Sequence, residues 1–122
     1  LPVDPDTEMW VASPRKLVEM FLHAIGLPGS AWGWNRSINL PGITVSVREE
    51  LEALRKVGGD AAVAQVRHVP DERVMALVRT WAPRFEARRA LQMGFPVDTD
   101  FDAIVRAYIE DNPAAIRVKA GG

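Results

Sequence analysis

The chain has 122 residues, 48% of them hydrophobic and 25% charged, with 15 Lys and Arg against 16 Asp and Glu for a formal net charge of -1. This is the size and composition of one globular domain, and its balanced charge gives no basic field to draw nucleic acid or an anionic membrane. The absence of cysteine rules out a disulfide framework, a zinc–thiolate site and a cysteine nucleophile. No apolar run reaches the roughly 18 residues of a membrane span, and no secretory leader is visible, so the expected location is the cytoplasm.

Glu8 to Ala12 reads as a short strand that enters a loop. Ser13 is placed to cap the following helix, with Pro14 at its first position, where no amide partner is needed. Leu17, Val18, Phe21, Leu22 and Ile25 follow the helical period, and Gly26 and Pro28 stop it. Pro28 to Asn35, with Trp32 and Trp34, is expected to be a loop. Ser37 to Leu40 is expected as a strand, Pro41-Gly42 as a turn, and Ile43 to Val45 as a second extended stretch. Ser46-Val47-Arg48-Glu49 matches a capping box. It opens a helix whose buried face is Val47, Leu51, Leu54 and Val57 and which Gly58-Gly59 ends.

Asp60 to Gln65 is expected to be a short helix and Val66 to Val69 a strand. Pro70-Asp71 starts another helix with Val74, Leu77, Val78 and Trp81 at helical spacing, broken by Pro83. Glu86 to Met93 is a short helix closed by Gly94. Asp98, Thr99 or Asp100 caps a last helix with an apolar stripe of Phe101, Ile104, Val105, Tyr108 and Ile109, in which Tyr108 is expected to pack in the core. Residues 1–112 form the folded region and 113–122 a flexible tail. The fold class is α+β, mostly helical, with a few short strands. Such strands are too short for a stable sheet of their own and are expected to complete a larger one.

The chemistry is sparse. The sequence contains no GxxxxGK[ST] loop, no GxGxxG fingerprint and no GxSxG elbow, and no complete catalytic set. His23 lies four residues after Glu19 and is expected to pair with it. His68 sits on a presumed strand, and two histidines without HxH or HxxxH spacing make no metal site. Arg15, Arg36 and Arg84 stand at element boundaries, where a planar guanidinium could hold a carboxylate or phosphate with two hydrogen bonds. The same position also suits a surface ion pair of small worth. Arg88, Arg89 and Arg106 are expected on solvated helix faces.

The ordered motifs NLPGITVSVREELEALRKVGG (39–59) and VRHVPDERVMALVRTWAPRFEARRALQMGFPVDTDFDAIVRAYIED (66–111) resemble the C-terminal part of extended short-chain dehydrogenase/reductases. These belong to the NAD-dependent epimerase/dehydratase family. With SPR (13–15) ahead of a helix and NLPG (39–42) after it, the chain is most similar to sugar-acid dehydrogenases of the D-erythronate dehydrogenase type, often labelled nucleoside-diphosphate-sugar epimerases.

The resemblance implies a parent with a Rossmann domain, NAD(P) and a Tyr-x-x-x-Lys catalytic set. The sequence departs from that pattern: Asn112 stands where the lysine would follow Tyr108, and no catalytic residue or cofactor site is assigned here. With Leu1 as its first residue, the chain is expected to be the substrate-covering fragment of such an enzyme, inactive alone. Exposed apolar surface would then lie where the missing Rossmann domain sits, favouring self-association or aggregation. By the same resemblance Ser13, Arg15, Arg84 and Asn39 lie near a sugar or sugar-acid substrate, with Arg15 or Arg84 on its anionic end. The alternative is a stand-alone, non-catalytic binding or interaction module of the same architecture.

Overall fold

A computed structural model describes residues 1–115; the expected tail therefore lies largely outside the described residues, and only Pro113–Ala115, a 3-10 turn, falls within them. Mostly helical structure surrounds one two-stranded sheet. Strand β1 (Glu8–Val11) leads to helix α1 (Pro14–Gly26) and the four-residue α2 (Gly29–Trp32), and β2 (Ile43–Ser46) runs straight into α3 (Val47–Val63). Then come α4 (Glu72–Val78), α5 (Arg88–Gln92) and α6 (Phe101–Asp111). β1 and β2 pair antiparallel, with Glu8 opposite Ser46 and Trp10 opposite Thr44. The two strands thus find each other. No described helix is long and apolar enough to cross a membrane.

Two of the expected strands are absent. Ser37–Leu40 is irregular because its backbone is claimed by side chains: Ser37 N–H donates to Asn35 Oδ1 at 2.9 Å and Ser37 C=O accepts from Arg89 at 3.0 Å. Val66–Val69 is also irregular. The Val69 and Asp71 amides donate to Leu1 and Pro2 carbonyls at 2.9 and 3.0 Å, but Pro2 and Pro70 have no N–H with which to continue a ladder. Gly59, at φ 76° and ψ 174°, interrupts the helical path as expected, so that α3 is two helices joined across a kink, the second one short.

The helix starts follow their capping chemistry. Ser13, Ser46, Asp71 and Asp100 each accept a hydrogen bond from a first-turn amide of α1, α3, α4 and α6. At α3 the box is complete: Glu49 Oε2 accepts from Ser46 N–H at 2.7 Å and from its hydroxyl at 2.9 Å. These two bonds, the backbone one first, hold the Glu49 carboxyl below its ordinary value of 4.5. A depressed acid contributes stability that is full above its ordinary pKa and disappears as pH falls through the lowered value. Glu49→Gln is therefore expected to lower the urea midpoint at neutral pH, with the gap to the parent chain closing as the pH falls below the ordinary carboxylate value. A gap independent of pH would show that the carboxylate charge is irrelevant to the cap.

Two clusters make the core. Val3, Val47 and Met75 are buried with Leu1, Met9, Leu51, Val74 and Val78 around them. Met20, Ala90 and Phe95 form the second, with Ala24, Leu27, Trp32, Ile38, Leu40 and Met93. Trp32 meets Phe95 edge-on at 6.1 Å. Tyr108, expected inside, is 55% exposed, because α6 turns Tyr108 outward while Phe101, Ile104, Val105 and Ile109 are partly buried.

The PG of NLPG has a steric reason. A Cβ on Gly42 would lie 2.7 Å from the Val11 carbonyl oxygen and 2.7 Å from Trp10 Nε1. Only glycine lets this turn lie against β1.

Candidate functional site

The four candidate residues separate into two pairs. The first pair is at the start of α1. Ser13 is buried at 2% exposure, and its N–H and hydroxyl both donate to the carboxylate of Asp98, each at 2.7 Å. Its Oγ in turn accepts from Lys16 N–H at 3.1 Å. The first turn of α1 carries no acid of its own, so Asp98 supplies the negative charge that a helix N-terminus favours.

Arg15 reaches the other way, to the end of α6. Its Nε and Nη2 donate to both oxygens of Asp111, at 3.2 and 2.7 Å, and its Nη1 donates to Glu110 at 3.1 Å. These bonds raise the already high pKa of Arg15 and, through the Arg15 hydrogen bond, lower that of Asp111. Two carboxylates at the end of a helix, where the dipole is negative, thus receive a fork-shaped cation.

The second pair brackets the segment Pro83–Glu86. Arg84 Nη2 donates to Glu8 Oε1 at 2.9 Å and to Oε2 at 3.1 Å, with the arginine side chain 70% exposed. Asn39 Nδ2 donates to the Glu86 carbonyl at 3.2 Å, and Thr44 Oγ1 to the Pro83 carbonyl at 2.8 Å. Between them Phe85 packs edge-on against Trp10 at 5.8 Å. The segment is therefore fixed at four consecutive residues, three of them held by the β1–β2 pair and the fourth, Glu86, by Asn39. No hydrogen bond among the described residues joins this pair to Ser13 and Arg15.

Beside the segment lies an open cleft of about 360 Å³ lined by Asn35, Ser37, Ile38, Asn39, Glu86, Ala87, Arg89 and Ala90. Its wall depends on a residue that sequence reasoning put on a solvated face. Arg89 is half-buried, and its guanidinium donates to the carbonyls of Trp32 at 2.7 Å, Asn35 at 2.6 Å and Ser37 at 3.0 Å. A second groove of about 450 Å³ between β2, α3 and the start of α6 is lined by Glu49, Glu52, Asp100 and Asp102 against one Lys56. That balance disfavours an anionic ligand there.

His23 does not pair with Glu19, which takes Lys16 instead at 2.6 Å; His23 Nε2, protonated there, donates to the Met93 carbonyl at 2.7 Å and lies edge-on to Phe95. His68 Nε2 likewise bonds to the Val3 carbonyl at 3.0 Å. Arg36 is exposed, while Trp34 is 96% exposed and Trp81 55% exposed.

A dinucleotide does not fit the described residues. The two helices that follow strands, α1 and α3, are the places where a pyrophosphate would be cradled. Their N-termini are already filled by the Asp98 and Glu49 carboxylates.

No protein-family model matches the chain. It is 42% identical to the D-erythronate dehydrogenase of Cupriavidus necator over 90% of its own length, covering 34% of that protein. With the D-erythronate dehydrogenase of Haemophilus influenzae it shares 34% identity over 89% of its length, covering 35% of that protein. The crystal structure of a nucleoside-diphosphate-sugar epimerase from Agrobacterium tumefaciens superposes with a TM-score of 0.89 at 39% identity, over 93% of this chain and 33% of that one. The chain thus spans about a third of the length of the proteins it matches. Over that third, the chain is similar to proteins named D-erythronate dehydrogenase and to a nucleoside-diphosphate-sugar epimerase.

Proposed function

We propose that this chain is the substrate-binding portion of an NAD-dependent sugar or sugar-acid dehydrogenase, or of a related nucleoside-diphosphate-sugar epimerase, and that it catalyses nothing alone. The observation that carries this reading is its 42% identity to a D-erythronate dehydrogenase across nearly all of its length and only a third of that enzyme's. The sequence has neither GxGxxG nor Tyr-x-x-x-Lys, so NAD(P) and the acid/base chemistry belong to the rest of the parent protein.

Among the four candidates, Arg84 and Asn39 are the ones we place at the substrate. Arg84 is engaged by a single carboxylate and is mostly exposed. Its guanidinium can exchange Glu8 for the carboxylate of a sugar acid or the phosphate of a nucleotide sugar. Asn39 lines the cleft and holds its rim. Ser13 and Arg15 take a positioning role in this reading, since their polar atoms already join α1 to Asp98 and to α6.

In the parent enzyme, Arg84→Ala is expected to raise the KM for an acidic sugar substrate about tenfold, the loss of one charge-assisted contact of roughly 1.4 kcal/mol. The affinity for NAD should stay unchanged. An unaltered KM removes Arg84 from the site. If Arg15→Ala raises KM while leaving Tm unchanged, the anionic end of the substrate is held at α1 instead.

A further inference from the structure

Glu8 and Trp10 stand two residues apart on β1, so their side chains leave the same face of the strand. That face meets Arg84 and Phe85. The Glu8 carboxylate is held by a single nitrogen: Arg84 Nη2 donates to Oε1 at 2.9 Å and to Oε2 at 3.1 Å. Ser46, opposite Glu8 across the strand pair, donates its hydroxyl proton to Glu49 instead. Arg84 Nε and Nη1 make no hydrogen bond among the described residues.

The identity of the occupied nitrogen is decisive. A guanidinium grips a carboxylate or phosphate best through two parallel N–H···O bonds. It has two edges for this, Nε with Nη2 and Nη1 with Nη2, and Nη2 is common to both. Glu8 therefore blocks two-point binding at either edge. Its hold is weak, because the Arg84 and Glu8 side chains are 70 and 43% exposed and an exposed ion pair is worth little. The backbone of Glu8 is fixed by the pairing of β1 with β2. Release thus takes only a side-chain rotation, and the carboxylate stays close to whatever replaces it.

We infer that Glu8 is a specificity-determining residue, a built-in competitor that an anionic substrate must displace from Arg84 and that disfavours doubly charged anions. The inference rests on the reading that puts Arg84 at the substrate. The preference follows from the local charge. Arg84 and Glu8 together are neutral, so a second negative charge on the ligand meets repulsion from Glu8 that offsets its attraction to Arg84. With Glu8 uncharged, the site is positive and the second charge gains attraction. The Glu8 carboxylate therefore favours a monocarboxylate over a phosphate dianion.

Calorimetric binding to the parent enzyme tests this with two probes. One is D-erythronate, a monocarboxylate; the other is inorganic phosphate at mildly alkaline pH, where it is mostly doubly charged. Glu8→Gln keeps the size of the side chain and removes its charge. It is expected to tighten D-erythronate about threefold, within the range of an exposed ion pair, and phosphate about tenfold. Neither gain should appear in an Arg84→Ala background.

Weaker or unchanged binding of both anions in Glu8→Gln overturns the inference and leaves Glu8 a positioning residue that orients Arg84. Equal tightening of both removes the discrimination by charge, and tightening that persists without Arg84 removes the competition. The functional reading is judged by Arg84→Ala. Unchanged dissociation constants in that variant, or no binding of either anion by the unaltered enzyme, take the anion site away from Arg84. Weakened binding in Arg84→Ala with no gain in Glu8→Gln overturns the inference alone.

Discussion

Asp98→Ala is expected to lower the stability of the chain by about 3 kcal/mol, a large part of the 5–15 kcal/mol typical of a domain. Asp98 is 7% exposed and its two oxygens take the N–H and hydroxyl of Ser13, itself buried. Truncation leaves two buried donors without an acceptor and removes the carboxylate bonded to the cap of α1.

Asp98→Asn separates the two contributions. The amide oxygen can keep the bond from Ser13 N–H. Its NH₂ can donate to Ser13 Oγ, which has a second lone pair besides the one facing Lys16 N–H. The geometry survives, but the charge is lost and the Ser13 hydroxyl proton gives up its acceptor, so the expected cost is smaller than that of alanine without vanishing. Urea unfolding followed by circular dichroism measures both. Equal losses for alanine and asparagine would show that charge, not hydrogen bonding, holds the junction.

This pair also shows which links of the fold sequence reasoning reaches. Ser13, Ser46 and Asp100 were legible as caps because a cap is a local event, settled by a side chain and an amide two or three residues away. The partner of Ser13 is 85 residues distant, and nothing in the spacing of SPR points to it. Asp98 itself could be read only as one of three caps for α6, where Asp100 serves.

The same limit governs the arginines. Arg15 meets Asp111 through two nitrogens and Arg84 meets Glu8 through Nη2 alone, and in each case the carboxylate lies more than 70 residues away in sequence. The apolar period of α1 was legible too; which of its side chains would be buried was not, because periodicity records amphipathy and not occupancy. Ser37–Leu40 looked extended for the related reason that β propensity ignores a distant side chain competing for the backbone.

That competing side chain carries the second large effect. Arg89→Ala is expected to cost about 2 kcal/mol and to open the segment from Trp32 to Leu40, because three carbonyls lose a donor they share. Arg89→Lys should recover less than half. An ammonium is a compact charge that cannot span three carbonyls as a planar fork does, and the carbonyls of Trp32, Asn35 and Ser37 follow an irregular path with no ladder to take over. The consequence reaches the cleft. Asn39 lies in the released segment, and its bond to the Glu86 carbonyl persists only while the segment is held in place. Hydrogen exchange is the direct measurement: amides 32–40 should exchange faster in Arg89→Ala by more than the global loss of stability explains. Uniform acceleration across the chain would reduce Arg89 to an ordinary stabilising contact, and unchanged exchange in 32–40 would remove it from the architecture of the cleft altogether.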